Sequence, residues 1–67
     1  MSIVKVIEVI ASSPHGWEKA AQTAVSEAGK SVKNIKHFYV DNMTAVVKDG
    51  AIAEYRVNGK ISFVVED

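Results

Sequence analysis

The dipeptide Asp49-Gly50 separates two long runs of strand-forming residues, 35–47 and 51–66. Asp-Gly is a preferred pair for the two-residue type I′ turn of a β-hairpin. Asn58-Gly59 is a rival turn signal, but a turn there would mix apolar and polar side chains on each face of the hairpin. A turn at Asp49-Gly50 separates the faces far better, and a one-residue error in register would invert them. The sequence therefore predicts one long hairpin in which Gly59 marks a bend or a close backbone approach.

The predicted turn also fixes which residues lie opposite each other in the hairpin. On one face, the expected pairs are Val57 with Asn42, Ile61 with Phe38, and Ala53 with Val46. On the other face, they are Tyr39 with Lys60, Asp41 with Asn58, and Ala45 with Glu54. This register places His37 on the outward face of the hairpin, together with Tyr39, Asp41, Arg56 and Asn58.

The segment before the hairpin predicts one more strand and one helix. Residues 2–11 are rich in Val and Ile, which favours a strand, and apolar residues occupy both of its faces. Ser12-Ser13-Pro14 is typical of a helix start, with serine as the N-cap and proline just inside. From Trp17 to Val32, apolar residues that are mostly alanine recur at steps of three and four, so the helix can approach a sheet closely. Lys30 and Lys33 are expected near the C-terminus of the helix, where they suit its dipole.

Together these elements predict one α+β domain over residues 1–67, with the order β-α-β-β and a three-stranded antiparallel sheet wrapped on one helix. A chain this short buries only about 60% of its unfolded surface, which makes it marginally stable alone. It has no cysteine for disulfides or for a Cys-rich zinc site, yet 48% of its residues are hydrophobic. We therefore expect an oligomer whose copies cover the apolar surface that one helix leaves exposed.

Charge and motif content argue against several classes of protein. Eight Lys and Arg residues balance eight Asp and Glu residues, so the basic excess typical of nucleic-acid-binding proteins is missing. No apolar run approaches the about 20 residues of a membrane span, and we expect a soluble, cytoplasmic protein. The sequence has no glycine-rich phosphate loop, no G-x-S-x-G and no paired histidines at helical spacing, so no enzyme activity is predicted.

Carboxylates on the hairpin are candidate ligands for a hard cation. Asp41 and Glu54, with Glu66 and Asp67 at the C-terminus, could supply oxygen atoms to Ca²⁺ or Mg²⁺ if symmetry brings several copies together. The alternative interpretation is a solvated or salt-bridged strand face.

The aromatic residues and histidines allow fewer functional interpretations. His37 is either a solvent-facing strand histidine or part of a ligand-facing or intersubunit wall. His15 is expected at the surface beside the helix start, and Trp17 is expected to be a core or interface anchor.

Several segments of the chain resemble the signature of the dodecin family. VKVIEVI at 4–10 and SSPHGWEKA at 12–20 are similar to the family's V-x-K-V-I-E-I strand and T-S-P-x-S-W-E-x-A helix start. Residues 32–36, 53–57 and 61–63 then fall at matching spacing without insertions. The resemblance covers nearly the whole chain.

This resemblance implies a hollow homo-dodecamer with two-fold and three-fold symmetry that stores or sequesters flavins, such as riboflavin or FMN, and is not an enzyme. Some members of the family also carry coenzyme A. The flavins are implied to stack in pairs between tryptophans in pockets on the two-fold axes. The position of the stacking tryptophan is His37 in this chain, and the position of the glutamine that hydrogen-bonds the flavin edge is Arg56.

Both replacements change the chemistry that the resemblance implies. An imidazole offers less stacking surface than an indole, and arginine has only donors where glutamine also has an acceptor. The sequence therefore predicts a dodecin-like shell whose two-fold pocket, lined by His37 and Arg56, binds flavin weakly or binds a related planar or anionic ligand. The alternatives are a shell that binds Ca²⁺ or Mg²⁺ without flavin and a structural or partner-binding oligomer.

Overall fold

Three strands and one helix make up the fold. The structure, a computed structural model, describes residues 2–66 and consists of β1 (Ser2–Ser13), α1 (Trp17–Ala28), β2 (Ile35–Lys48) and β3 (Ala51–Glu66). The sheet has the order β1-β3-β2, and both strand pairs are antiparallel. The predicted β-α-β-β order and the three-stranded antiparallel sheet with one helix are confirmed.

The hairpin turns at Asp49-Gly50, as predicted. Asp49 has φ 51° and Gly50 has φ 77°, and positive φ at both central residues is the requirement of a type I′ turn. Lys48 and Ala51 pair directly across the turn. Asn58-Gly59, the rival turn signal, lies instead in the middle of β3.

The hairpin register is as predicted beside the turn and again from Val40 to His37, and it is shifted by one residue between Val46 and Asn42, with a further irregularity between His37 and Ile35. Ile61 lies opposite Phe38 and Lys60 lies opposite Tyr39, so these two predicted pairs are confirmed. The other four predicted pairs are wrong, because the observed pairs are Asn58 with Asn42, Val57 with Met43, Tyr55 with Ala45, and Glu54 with Val46.

Two β-bulges on opposite strands cause the shift. The register changes between Val46 and Val47, where β3 contains the extra residue Ala53, and between Val40 and Asn42, where β2 contains the extra residue Asp41. Each bulge places two residues of one strand opposite one residue of the other. Because the bulges lie on different strands, the second offset cancels the first.

The first strand is longer and the helix is shorter than predicted. β1 continues to Ser13, and the helix N-cap is Gly16 with φ 133°, not a serine. The hydroxyl of Ser13 accepts a hydrogen bond from the backbone N–H of His15 at 3.0 Å. The polar signal that predicted a helix N-cap therefore stabilises the turn before the helix.

The helix ends at Ala28, so Val32, Lys30 and Lys33 lie beyond it. The prediction that the two lysines complement the helix dipole is wrong, since the last turn of α1 contains no basic residue. Lys30 instead forms an exposed ion pair with Glu27.

The described core lies between α1 and the centre of the sheet. Its buried apolar residues are Ala20 and Ala24 of α1 and Val57 and Ile61 of β3. The two alanines confirm that the helix approaches the sheet closely, as predicted. Trp17 at the start of α1 contacts Tyr55, so the odd-numbered residues around Tyr55 and Val57 form the helix-facing side of the sheet.

The opposite side of the sheet, called the open face below, is not covered by the helix. It carries Arg56, Asn58, Lys60 and Ser62 of β3 and the residues beside them on β1 and β2. Val4, Val6 and Ile10 of β1 lie on this face and are each more than half exposed. No helix within residues 2–66 is long and apolar enough to cross a membrane.

Candidate ligand-binding site

His37 lies on the open face, next to a second aromatic ring. Its ring stacks on that of Tyr39 with a centroid distance of 5.7 Å and an interplanar angle of 28°. The two residues are two positions apart on β2, so their side chains leave the same face of the strand. Both are exposed, so the parts of the two rings that do not face each other are accessible from the open face.

Ser62 supports His37 from the central strand. The two residues pair across β2 and β3, and Oγ of Ser62 lies 3.5 Å from Nδ1 of His37. Either atom can donate in this long contact, depending on the tautomer of the imidazole. Because Ser62 is buried at the level of the sheet, it holds the inner edge of the ring and leaves the outer part free.

Arg56 lies on the same face as His37, but at a distance. It pairs with Thr44 and Ser12, six positions along β3 from Ser62. At about 3.3 Å per residue, this separation is roughly 20 Å. The guanidinium of Arg56 lies 3.9 Å from a carboxylate oxygen of Glu54. Within one chain, the two site positions suggested by the sequence are therefore not brought together.

Asp41 forms an ion pair within the chain. Its Oδ2 accepts a hydrogen bond of 3.0 Å from Nζ of Lys60, and the bulge at Asp41 places the carboxylate on the open face. This hydrogen bond and the charge of Asp41 raise the pKa of Lys60 above its ordinary value. Partial desolvation lowers this pKa, and the charge of Glu8 raises it slightly, but neither outweighs the effect of Asp41. The ammonium group of Lys60 is therefore the cation that Asp41 binds within one chain.

The other candidate cation ligands are separated from Asp41. Glu54 pairs with Val46, five positions along β2 from Asp41, or roughly 17 Å. Asp67 lies outside the described residues, and Glu66 is the last residue of β3. Within the part of the chain that the structure describes, no three His, Cys, Asp or Glu side chains are grouped so that they could hold a metal ion.

His15 lies where the sequence predicts it, whereas Trp17, expected to be a core or interface anchor, is 36% exposed and does not belong to the buried core. The ring of Trp17 meets Tyr55 edge-on with centroids 4.8 Å apart, and its Nε1 donates a hydrogen bond of 3.0 Å to the carbonyl oxygen of Thr44. Trp17 thus anchors the start of the helix to the hairpin. His15 is exposed in the turn before the helix.

Sequence reasoning did not identify Ser62 as a neighbour of His37 or Lys60 as the partner of Asp41. The first could have been found from the register, because Ser62 lies directly opposite His37 whenever Ile61 lies opposite Phe38. The second could also have been found, because the predicted register places Asp41 and Lys60 on the same face, one diagonal step apart across the hairpin.

Comparison with known proteins shows which family shares this arrangement. A protein-family model described as Dodecin matches residues 3–66. A calcium dodecin from Mycobacterium tuberculosis is 38% identical over 63 residues, which are 94% of this chain and 89% of that protein. A dodecin from Thermus thermophilus is 26% identical over 65 residues, which are 97% of this chain and 94% of that protein.

The similarity extends to three-dimensional structure. The crystal structure of an arginine-to-alanine variant of Thermus thermophilus dodecin matches this chain with a TM-score of 0.93 at 25% identity, and the match covers 100% of both chains. A match of this quality includes all three strands and the helix. The chain therefore belongs to the dodecin family.

Proposed function

We propose that this chain forms a hollow cytoplasmic homo-dodecamer that stores or sequesters a small planar ligand, and that it binds flavin weakly in pockets on two-fold axes lined by His37 and Arg56. The observation that carries this proposal is the stacked pair of His37 and Tyr39 on the open face. The accessible faces and edges of the two rings suit a flat aromatic ligand, since offset or edge-on contacts between aromatic rings are favourable. Binding rather than catalysis is the expected activity.

The small core supports the assembly part of the proposal. Among the described residues, only four apolar side chains are buried, and two of them belong to alanines. Val4, Val6 and Ile10 remain exposed on the open face. A monomer would leave this apolar surface in water, whereas self-association would bury it at about 25 cal/mol for each Å².

A two-fold axis through the open face would bring the two proposed site residues into one pocket, each from a different copy. His37 and Arg56 lie roughly 20 Å apart along one sheet, so one copy cannot offer both to the same small ligand. In a two-fold contact the same surface of both copies participates. Antiparallel apposition of two open faces would bring His37 of one copy towards Arg56 of its partner.

The residues of this pocket favour a weaker interaction than tryptophan and glutamine would provide. The imidazole of His37 covers less of a flavin ring than an indole does. Arg56 has five N–H donors and no acceptor, so it can contact carbonyl or phosphate oxygens of a ligand but cannot accept a hydrogen bond from a ring N–H.

Riboflavin fluorescence tests the flavin proposal. We expect partial quenching when micromolar protein is mixed with riboflavin, because stacking on His37 brings the flavin against aromatic rings. His37→Ala should abolish the quenching, whereas His15→Ala should retain it, since His15 lies in the turn before the helix. Absence of quenching by the wild-type protein, or equal quenching by His37→Ala, would exclude this pocket as a flavin site.

Calcium binding is the second candidate function, and the 38% identity to a protein named calcium dodecin favours it. In this chain the carboxylates of Asp41 and Glu54 lie near cationic side chains of their own chain. A calcium site would therefore need carboxylates from several copies around a symmetry axis, because Ca²⁺ takes 6–8 oxygen ligands.

Thermal melting tests whether the protein binds Ca²⁺. A ligand that binds only the folded assembly raises its melting temperature, so 1 mM Ca²⁺ is expected to stabilise the protein if this second function applies. Asp41→Asn should reduce the shift, with Asp49→Asn in the hairpin turn as the control. A wild-type melting temperature that does not change with Ca²⁺ removes the calcium candidate.

A further inference from the structure

The dipeptide Asn58-Gly59, which does not form a turn in this fold, contains the asparagine of the chain most prone to deamidation. The chain has three asparagines, Asn34, Asn42 and Asn58, and only Asn58 precedes a glycine. Deamidation begins when the backbone nitrogen of the next residue attacks the asparagine side chain. A glycine leaves that nitrogen unshielded, because it has no Cβ atom. The sequence therefore favours the reaction at Asn58.

Deamidation at Asn58 needs no reactant other than water. The backbone nitrogen of Gly59 loses its proton and attacks Cγ of Asn58, a bond forms between these two atoms, and Nδ2 leaves as ammonia. The product is a succinimide ring, which water then opens at either of its carbonyl carbons. Attack at Cγ yields aspartate, whereas attack at the main-chain carbonyl carbon yields isoaspartate, in which the chain runs through the side-chain carbons.

The sheet holds Asn58 in a conformation that cannot close the ring. In an extended strand the nitrogen of Gly59 is turned away from Cγ of Asn58, so ring closure requires a large rotation about ψ. β3 is the central strand, and Asn58 pairs with Ile10 on one side and with Asn42 on the other. Gly59 lies so close to the carbonyl group of Tyr39 that a Cβ atom would overlap it. The main chains of both neighbouring strands therefore oppose the rotation.

The side chain of Asn58 adds little protection of its own. Its Oδ1 is buried and has no hydrogen-bond partner within residues 2–66. A hydrogen bond to this oxygen would fix the carboxamide, and a buried acceptor without one destabilises the part of the sheet that contains it. Protection of Asn58 thus depends on the pairing of the three strands, and it ends when a neighbouring strand separates from β3.

We propose that Asn58 is a deamidation site that the intact sheet keeps unreactive, and that separation of β1 or β2 from β3 releases it. Loss of ammonia prevents the return to asparagine, so a ring that closes in an opened chain makes that unfolding event irreversible. The site is a property of the strands and does not depend on the ligand or the assembly proposed above. Self-assembly would only slow the reaction, by favouring the closed sheet.

The two products of the reaction should differ in their ability to refold. An aspartate leaves the main chain unchanged, and its charge would lie between Arg56 and Lys60, each about 7 Å away along the open face of β3. Isoaspartate instead adds a carbon atom to the main chain of the central strand. The residues before and after it cannot then both pair with β1 and β2 in the native register. We therefore expect only the isoaspartyl chains to be lost from the native fold.

Incubation of the full chain at mildly alkaline pH and one temperature, with and without guanidinium chloride, tests the protection. Trypsin cleaves after lysine and arginine, so the three asparagines lie in separate peptides, 34–36, 37–48 and 57–60. Mass spectrometry should show NH2 replaced by OH in peptide 57–60 at least about tenfold more slowly without denaturant. An opening free energy of about 1.4 kcal/mol already lowers the open fraction by this factor. The other two peptides should keep their masses in both samples and serve as internal controls.

The variants Asn58→Ser and Asn42→Ser form a matched pair that tests the irreversibility. Serine has no carboxamide, so Asn58→Ser should recover its circular dichroism signal after it is heated to its own melting temperature and cooled. Asn42→Ser should lose the signal progressively at the wild-type rate, because Asn58 is intact. Asn58→Asp should fold, since it reproduces the product that leaves the main chain unchanged.

Each part of the proposal has a result that would overturn it. Equal deamidation of Asn58 in buffer and in guanidinium chloride would contradict protection by the sheet. Faster conversion at Asn34 or Asn42 would contradict the choice of site. If Asn58→Ser loses its signal on heating as fast as the wild type, a different process makes unfolding irreversible. Failure of Asn58→Asp to fold would mean that the new charge, and not the lengthened main chain, removes the modified protein from the native state.

Discussion

Gly59→Ala is expected to unfold most of the protein at temperatures where the wild type is fully folded. A Cβ atom added at Gly59 would overlap the backbone carbonyl oxygen of Tyr39 and lie 2.7 Å from Cε1 of Phe38. The obstacle is the main chain of β2, which cannot rotate away as a flexible side chain can. Overpacking of a core typically costs about 1–3 kcal/mol, and we expect at least the upper value here because two strands must separate.

The size of the chain makes this loss severe. At roughly 0.05–0.15 kcal/mol per residue, a chain of this length has only several kcal/mol of folding free energy. A loss of about 3 kcal/mol would lower the melting temperature by roughly 12–24 °C. Thermal melts followed by circular dichroism, at equal protein concentrations because assembly contributes to stability, give this number.

Gly50→Ala is the matched control. Gly50 has φ 77° and no atom within 4 Å of an added Cβ, so alanine there suffers only the strain of a left-handed conformation, about 1–2 kcal/mol. The difference between the two variants isolates the effect of strand approach from that of backbone conformation. A Gly59→Ala protein that melts within a few degrees of Gly50→Ala would contradict this account.

The turn and the close approach at Gly59 could be predicted from the sequence, but the two bulges of the hairpin could not. The turn at Asp49-Gly50 and the alternation of residues define the two strands, and Gly59 is a close backbone approach, as its position in β3 suggested. The bulges at Ala53 and Asp41 could not be predicted, because alternation shows only which face a residue prefers. An extra residue in one strand becomes favourable only through contacts across the sheet.

The start of the helix could not be predicted correctly, for a different reason. Ser12-Ser13-Pro14 contains the residues that favour an N-cap, but the same side chains also stabilise turns. Here Ser13 pairs with Tyr55 at the end of β1 and its hydroxyl binds the backbone of His15. The choice between the two uses depends on a strand that is more than 40 residues away in the sequence.

The candidate site was predictable only as far as the local register extended. His37 lies near the Phe38–Ile61 pair, where the predicted register is correct, so its position on the open face beside Tyr39 could be inferred. The distance between His37 and Arg56 could not, since two residues on the same face can lie far apart along long strands. Their meeting depends on a second copy, which alternation within one chain does not describe.

The last prediction therefore concerns the residue at which this chain departs from the family pattern. His37→Trp is expected to strengthen flavin binding about tenfold, because an indole extends the stacking surface and stacking on an aromatic ring contributes about 0.5–1.5 kcal/mol beyond the buried area. Ser62 remains beneath the ring, and the position on the exposed end of β2 leaves room for the larger side chain. Fluorescence titration of riboflavin with the wild type and the variant gives the ratio of dissociation constants.

Two further variants separate stacking from other effects. His15→Trp adds an indole outside the pocket and should leave the dissociation constant unchanged, whereas Arg56→Gln restores an acceptor and should strengthen binding on its own. If the two residues contact different parts of one ligand and do not touch each other, the gains of His37→Trp and Arg56→Gln should add, because independent contacts contribute additively. A gain from Arg56→Gln with none from His37→Trp would mean that the ligand binds the open face without stacking on His37.

The same affinity in the wild type and in all three variants would place both His37 and Arg56 outside the binding site. The ligand would then have to bind elsewhere on the surface of the shell.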